Sequence, residues 1–181
     1  MALICIAMPV NAQKKEIRLN FGLQGNLPER YFNTNIQKYN GKNGGMGFHV
    51  CPQFIYNKHL AFNLNIEYSF VIENYQTDAI GGFDIISIAP GVNYYFTEHK
   101  IRPFVGLGAG IYHVIYHEPK VNLGVRPLLG VSFNNRFALS IEYNRILANI
   151  KVDPHVRGSF DNYYLAVKGS FSLGIGGSGK K

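Results

Sequence analysis

Between Leu60 and Phe70 every second residue is apolar: Leu60, Phe62, Leu64, Ile66, Tyr68 and Phe70 alternate with Ala61, Asn63, Asn65, Glu67 and Ser69. Side chains of an extended chain point alternately to two faces, so this period specifies a strand and not a helix. It also poses the question that decides the fold. An apolar face turned inward makes a soluble barrel or sandwich. The same face turned outward requires lipid around it.

The pattern recurs, and no segment after residue 13 shows a helical period. It predicts eight strands, over 16–25, 45–56, 60–74, 83–96, 102–116, 124–133, 137–147 and 162–175. Their apolar faces include Ile17 and Phe21, Phe48 and Val50, Ile86 and Ile88, Leu107 and Ile111, Leu129 and Val131, Leu139 and Ile141, and Leu165 and Val167. The opposite faces carry Arg18, His49, Glu67, Arg126, Glu142 and Lys168 among many Gly, Asn and Ser. Short connections (57–59, 97–101, 134–136) alternate with longer polar ones (26–44, 73–82, 117–123, 148–161), as in an up-and-down meander. The segment Phe62-Asn-Leu-Asn-Ile-Glu-Tyr returns as Phe137-Ala-Leu-Ser-Ile-Glu-Tyr, which predicts Glu67 and Glu142 at similar height on one face of a closed sheet.

Two observations turn the apolar face outward. Charged residues make up only 16% of the chain, so a solvated exterior built from the other face would be thinly charged, whereas the filling of a narrow barrel needs only a few paired charges. The apolar face spans about ten residues per strand, the length that crosses a bilayer at a tilt. Its aromatics collect at the ends, with Phe54, Tyr56, Phe62, Tyr94, Phe96, Phe133 and Phe137 near the short turns and Phe70, Tyr143 and Tyr163 near the long loops. Rings with a polar edge suit the headgroup zones. A strand in lipid cannot leave its edge unpaired, and an even count of eight allows closure.

The ends and the charge narrow the classes further. The apolar run Ala2 to Val10, followed by Val10-Asn11-Ala12, has the form of a secretory signal's end, so residues 1–12 are expected to be a leader without the usual positively charged start, and 13–181 a single barrel domain. The net charge is +7, but the cations are scattered over segment ends, which argues against nucleic acid. Of two cysteines only Cys51 lies beyond the leader, so neither a disulfide nor a metal site is expected, and no cofactor.

Pro90-Gly-Val-Asn-Tyr-Tyr-Phe before a short turn, Arg102-Pro-Phe-Val-Gly-Leu-Gly-Ala-Gly-Ile-Tyr after it, and the two Ile-Glu-Tyr strands resemble the small outer-membrane barrels of Gram-negative bacteria, the eight-stranded OmpA-like and OmpX-like group. The resemblance covers 16–175 and implies an all-β, eight-stranded antiparallel transmembrane barrel. It further implies a monomer in the outer membrane, termini in the periplasm, outer-membrane lipids and lipopolysaccharide around it, and a structural or surface-interaction role. The chain departs from the group in three ways: no terminal aromatic ends it, Trp is absent, and Pro52, Pro90 and Pro127 fall inside strands, where a bulge is expected.

Turn lengths place His49 opposite Glu67 and Arg126 diagonal to Glu142, within reach on one face. A structural filling is the favoured reading of Arg18, His49, Glu67, Arg126, Glu142 and Lys168, and a proton-sensitive gate the sharper one. In the loop after the first strand, Arg30, Tyr31, Phe32, Lys38, Tyr39 and Lys42 form a candidate recognition surface for an extracellular ligand or lipopolysaccharide. Some barrels of the resembled group act on lipid A through a rim histidine. The candidates here are His113, His117 and Glu118, or His155 with Ser159, and neither set has a defined nucleophile–base–orienter order. No enzyme is expected. The alternatives are a lipid-A-modifying enzyme and a soluble lipocalin-like barrel holding an apolar ligand.

Overall fold

The computed structural model describes residues 16–28, 44–74, 80–115, 120–147 and 163–175. They form eight strands: β1 Glu16–Pro28, β2 Gly44–Ile55, β3 Leu60–Asn74, β4 Ile80–Tyr95, β5 Ile101–Ile115, β6 Lys120–Phe133, β7 Phe137–Leu147 and β8 Tyr163–Ile175. Each strand pairs antiparallel with the next, and β8 returns to β1, closing the barrel. Several strands outrun the apolar period. β1 continues to Pro28 and β6 starts at Lys120, because Leu27 faces Leu165 and Lys120 faces Val114 on neighbours already extended. Backbone pairing, not hydropathy, sets those ends.

The apolar face points outward. Leu64, Ile66, Leu139 and Ile141 are 37, 41, 59 and 45% exposed, whereas Glu67 and Glu142 are 2 and 4% exposed. This excludes the soluble lipocalin-like alternative, which needs the reverse. A closed sheet wrapped in Leu, Ile, Val and Phe is stable only where hydrocarbon surrounds it. Ring pairs ring the short-turn end (Tyr56–Phe62, Tyr94–Phe96, Phe137–Phe171), and Phe48–Tyr68 and Tyr143–Tyr163 lie toward the other.

The short turns have local causes. Asn57 Oδ1 accepts from the amides of His59 and Leu60 (2.8 and 2.7 Å), an Asx turn. Asn134 and Asn135 take φ of 50° and 57°, a conformation asparagine tolerates, and the Arg136 amide donates to Phe133 O (2.9 Å) to close the hairpin.

The prolines do not make bulges. β2 and β3 keep one register on both sides of Pro52, from Val50↔Ile66 to Gln53↔Asn63, and the same holds around Pro90 and Pro127. Each proline points outward and stays in register with one neighbour: Pro52 with Leu19, Pro90 with Leu64, Pro127 with Leu107. The missing N–H interrupts the ladder on one side only, and no residue is inserted.

Candidate functional site

The inside of the barrel has three layers. At the short-turn end, the Arg102 guanidinium lies 4.3 Å from the centre of the Tyr95 ring. It donates to Asn135 Oδ1 (2.7 Å) and Thr97 O (3.1 Å), and also to Lys58 O. Tyr95 packs on Phe104 (5.2 Å between centroids), with Ala61, Ile55, Leu128 and Ala138 around them. Gly130 makes room here: a Cβ on it would stand 2.6 Å from the Phe104 ring.

The middle layer is ionic. Lys168 Nζ reaches Glu67 Oε2 (2.5 Å) and Glu142 Oε2 (2.8 Å), so one ammonium bridges two carboxylates. Arg126 Nη1 donates to Glu142 (3.1 Å) and its Nη2 to Asn63 Oδ1 (3.4 Å). Glu67 accepts in addition from Gln24 Nε2 and Ser69 Oγ (both 2.7 Å), Tyr164 Oη (3.0 Å) and Asn65 Nδ2 (3.1 Å). Two cations meet two anions with the lone pairs satisfied, the condition under which buried charges are tolerated. A cavity of about 60 Å³ remains beside this layer, bordered by Arg126, Glu142, His49 and Tyr95.

The third layer, toward the long connections, is apolar: Val71, Ile85, Val114 and Ile146 with the rings of Tyr112 and Tyr164. Tyr112 lies against Gly124, whose Cβ would stand 2.5 Å from the ring, and its hydroxyl donates to Asn144 Oδ1 (3.0 Å).

The charges read from sequence therefore divide. Glu67, Glu142, Arg126 and Lys168 come together. Arg18 lies apart at the short-turn end, bound to Glu16 (2.8 Å). His49 keeps the register opposite Glu67 but bonds elsewhere, its Nε2 sharing a hydrogen bond with Ser170 Oγ (2.9 Å), because Lys168 and the neutral donors already occupy the carboxylate. The apolar layers escaped the sequence reading, which made the whole inside polar. Their mark is visible in it: Val71, Ile85, Tyr95, Val114 and Ile146 each sit next to another apolar residue, where alternation breaks because both faces are oily. His113 lies on the outer face, in register with Ile86 and Val121. His117, Glu118, His155 and Ser159, the loop residues Arg30, Tyr31, Phe32, Lys38, Tyr39 and Lys42, and the leader 1–12 lie outside the described residues.

At the short-turn rim Lys58 pairs with Glu98 (2.7 Å), and this hydrogen bond holds the exposed Glu98 carboxyl below its ordinary range.

The architecture is that of the small eight-stranded outer-membrane barrels. The chain is similar to the crystal structure of Neisserial surface protein A (TM-score 0.53, 14% identity, 90% of this chain and 97% of that one). It is also similar to the outer-membrane protein OprG from Pseudomonas aeruginosa (TM-score 0.55, 10% identity, 89 and 97%). A further likeness is to the outer-membrane enzyme PagL (TM-score 0.50, 14% identity, 88 and 99%). At such identities the likeness is one of fold. No protein-family model and no curated protein sequence matches the chain.

Proposed function

We propose that the chain is a monomeric, non-enzymatic barrel of the Gram-negative outer membrane that carries its long connections to the cell surface and meets other molecules there. The observation that carries this reading is the filled inside. An apolar layer and an Arg102–Tyr95 layer flank the ionic one, and among the described residues the cavity at the ionic layer is about 60 Å³, room for a few waters. Function is thereby moved from the lumen to the exterior. The short turns, with Lys58, Glu98 and Arg136, face the periplasm in this reading, and the termini with them.

Thiol labelling of intact cells tests it. In a Cys51→Ser background, Asn40→Cys in the long connection after β1 is expected to react with a membrane-impermeant maleimide, and His99→Cys in a short turn only after the outer membrane is opened. Labelling of the short turn alone on intact cells overturns the orientation. Folding without detergent or lipid would overturn the membrane assignment. A changed acyl pattern in lipid A incubated with the folded protein would overturn the non-enzymatic reading.

A further inference from the structure

The seam between β7 and β8 carries two features on its outer face. The first is Arg145. It is exposed, lies in register with Tyr163, and follows Tyr143, whose ring is tilted against that of Tyr163 at 5.4 Å. Among the described residues no carboxylate pairs with it. An arginine on a lipid-facing surface has a cost that falls toward the interface, and its fork matches a phosphate.

The second is a notch. Gly169 faces outward between Leu23 of β1 and Leu139 of β7. A Cβ on it would meet only Leu139 Cδ2, at 3.9 Å. Gly169 lies in an open apolar depression bordered by Phe21, Phe48, Phe137, Leu139 and Phe171. The register places Ile141 and Val167 between the two features.

The two features are set well apart along the seam. Arg145 and Leu139 are six residues apart on β7, which is about 20 Å along a strand and about 15 Å in depth at a tilt near 40°. That is the depth over which a chain would run from the Tyr143–Tyr163 pair toward the Phe137–Phe171 pair. A molecule with an anionic head at Arg145 would lay a chain down the seam and end it in the notch.

We propose that the β7–β8 seam retains one phosphorylated lipid of the outward-facing leaflet, its phosphate on Arg145 beside Tyr163 and an acyl chain in the Gly169 notch. This rests on the orientation proposed above. Ordinary annular lipid needs neither the cation nor the notch.

Native mass spectrometry of the folded protein in a neutral detergent, with added bisphosphorylated lipid A, reads the site directly. One lipid is expected to stay bound. Its dephosphorylated form should be retained about tenfold less, the loss of one charge-assisted phosphate contact. Inorganic phosphate should not displace the lipid. Arg145→Gln and Gly169→Phe are each expected to reduce retention, the first by removing the charge and the second by filling the groove. Arg136→Gln, on the opposite rim, should leave it unchanged. Equal retention of the dephosphorylated lipid, or wild-type retention by Arg145→Gln or Gly169→Phe, overturns the site. Heat-dependent mobility in gels reports that each variant is folded. A barrel that embeds in vesicles and labels as expected on cells, yet holds no lipid, removes this site alone, whereas reversed labelling removes the orientation beneath it.

Discussion

Glu67 and Glu142 occupy the same place in a repeated heptapeptide, both lie in the strand that follows a short turn, and both end on Lys168. Their surroundings differ. Glu67 is held by one cation and four neutral donors, Gln24, Ser69, Asn65 and Tyr164. Glu142 is held by two cations, Lys168 and Arg126. The strand supplies the carboxylate, but the partners come from elsewhere on the wall. Glu67 lies next to the apolar layer, among hydroxyls and amides. Glu142 lies next to the cavity, where Arg126 has only Asn63 besides. One motif thus serves as the centre of a neutral hydrogen-bond set in one copy and as half of an ion pair in the other.

Lys168 is what the two sites share, so its removal should have the largest effect. Lys168→Ala leaves both carboxylates buried with Arg126 as the single remaining cation. Breaking a buried pair typically costs about 3–5 kcal/mol, and a loss at the upper end is expected here because two contacts go at once. Urea unfolding in lipid vesicles measures it. A loss no greater than that of the exposed Lys58→Ala would mean that the bridge contributes nothing to the fold.

Paired substitutions sharpen the comparison. Glu142→Gln alone strands Arg126, and Arg126→Met alone removes one of the two cations on Glu142. The double variant should recover most of either loss, because charge balance returns, Lys168 keeps the Glu67 carboxylate, and Asn63 loses one partner. Glu67→Gln with Lys168→Met also restores balance but leaves Ser69, Tyr164 and Asn65 facing a poorer acceptor, each orphaned donor costing about 1–3 kcal/mol. The second double variant should therefore stay well below wild type in unfolding midpoint while the first approaches it. Equal recovery in both would erase the distinction between the two glutamates.

How much of this could be read from the chain follows from what alternation encodes. Alternation is unbroken from Phe137 to Asn144, and β7 is found with the expected bounds, Phe137–Leu147. Turn lengths fix neighbours in the sheet, so His49 stands opposite Glu67 as the arithmetic requires. The arithmetic stops at neighbours. Lys168 is on β8 and Glu67 on β3, strands that do not pair, and their contact crosses the lumen between residues 101 apart. A contact across the lumen depends on shear and on side-chain length, which no local pattern contains. The same limit hid the competition that draws Glu67 away from His49. The prolines misled for another reason: a missing donor argues for a disturbed ladder, but only the unpaired side needs to open. Arg102 sits at a strand start, where a cation reads as a border residue, but the β4–β5 hairpin sets Tyr95 opposite Phe104 and so against the Arg102 guanidinium.

The smallest effect is expected where the same chemistry is exposed. Lys58 and Glu98 approach as closely as the buried pairs, at 2.7 Å, but both stand in water at the short-turn rim. The Lys58 hydrogen bond holds the Glu98 carboxyl below its ordinary value of 4.5. A carboxyl lowered in the folded state adds stability above its unfolded pKa, and that contribution disappears as pH falls through the lower, folded value. The gap in urea midpoint between wild type and Glu98→Gln should therefore be small and constant near neutral pH, and close below pH 4.5. Added salt should shrink it, since exposed charges are screened. Salt should not narrow the gap between wild type and Lys168→Ala near neutral pH, because that bridge is enclosed. A Glu98 gap that resists salt and matches the Lys168 loss would show that enclosure adds nothing to these ion pairs, and the contrast between lumen and rim would fall with it.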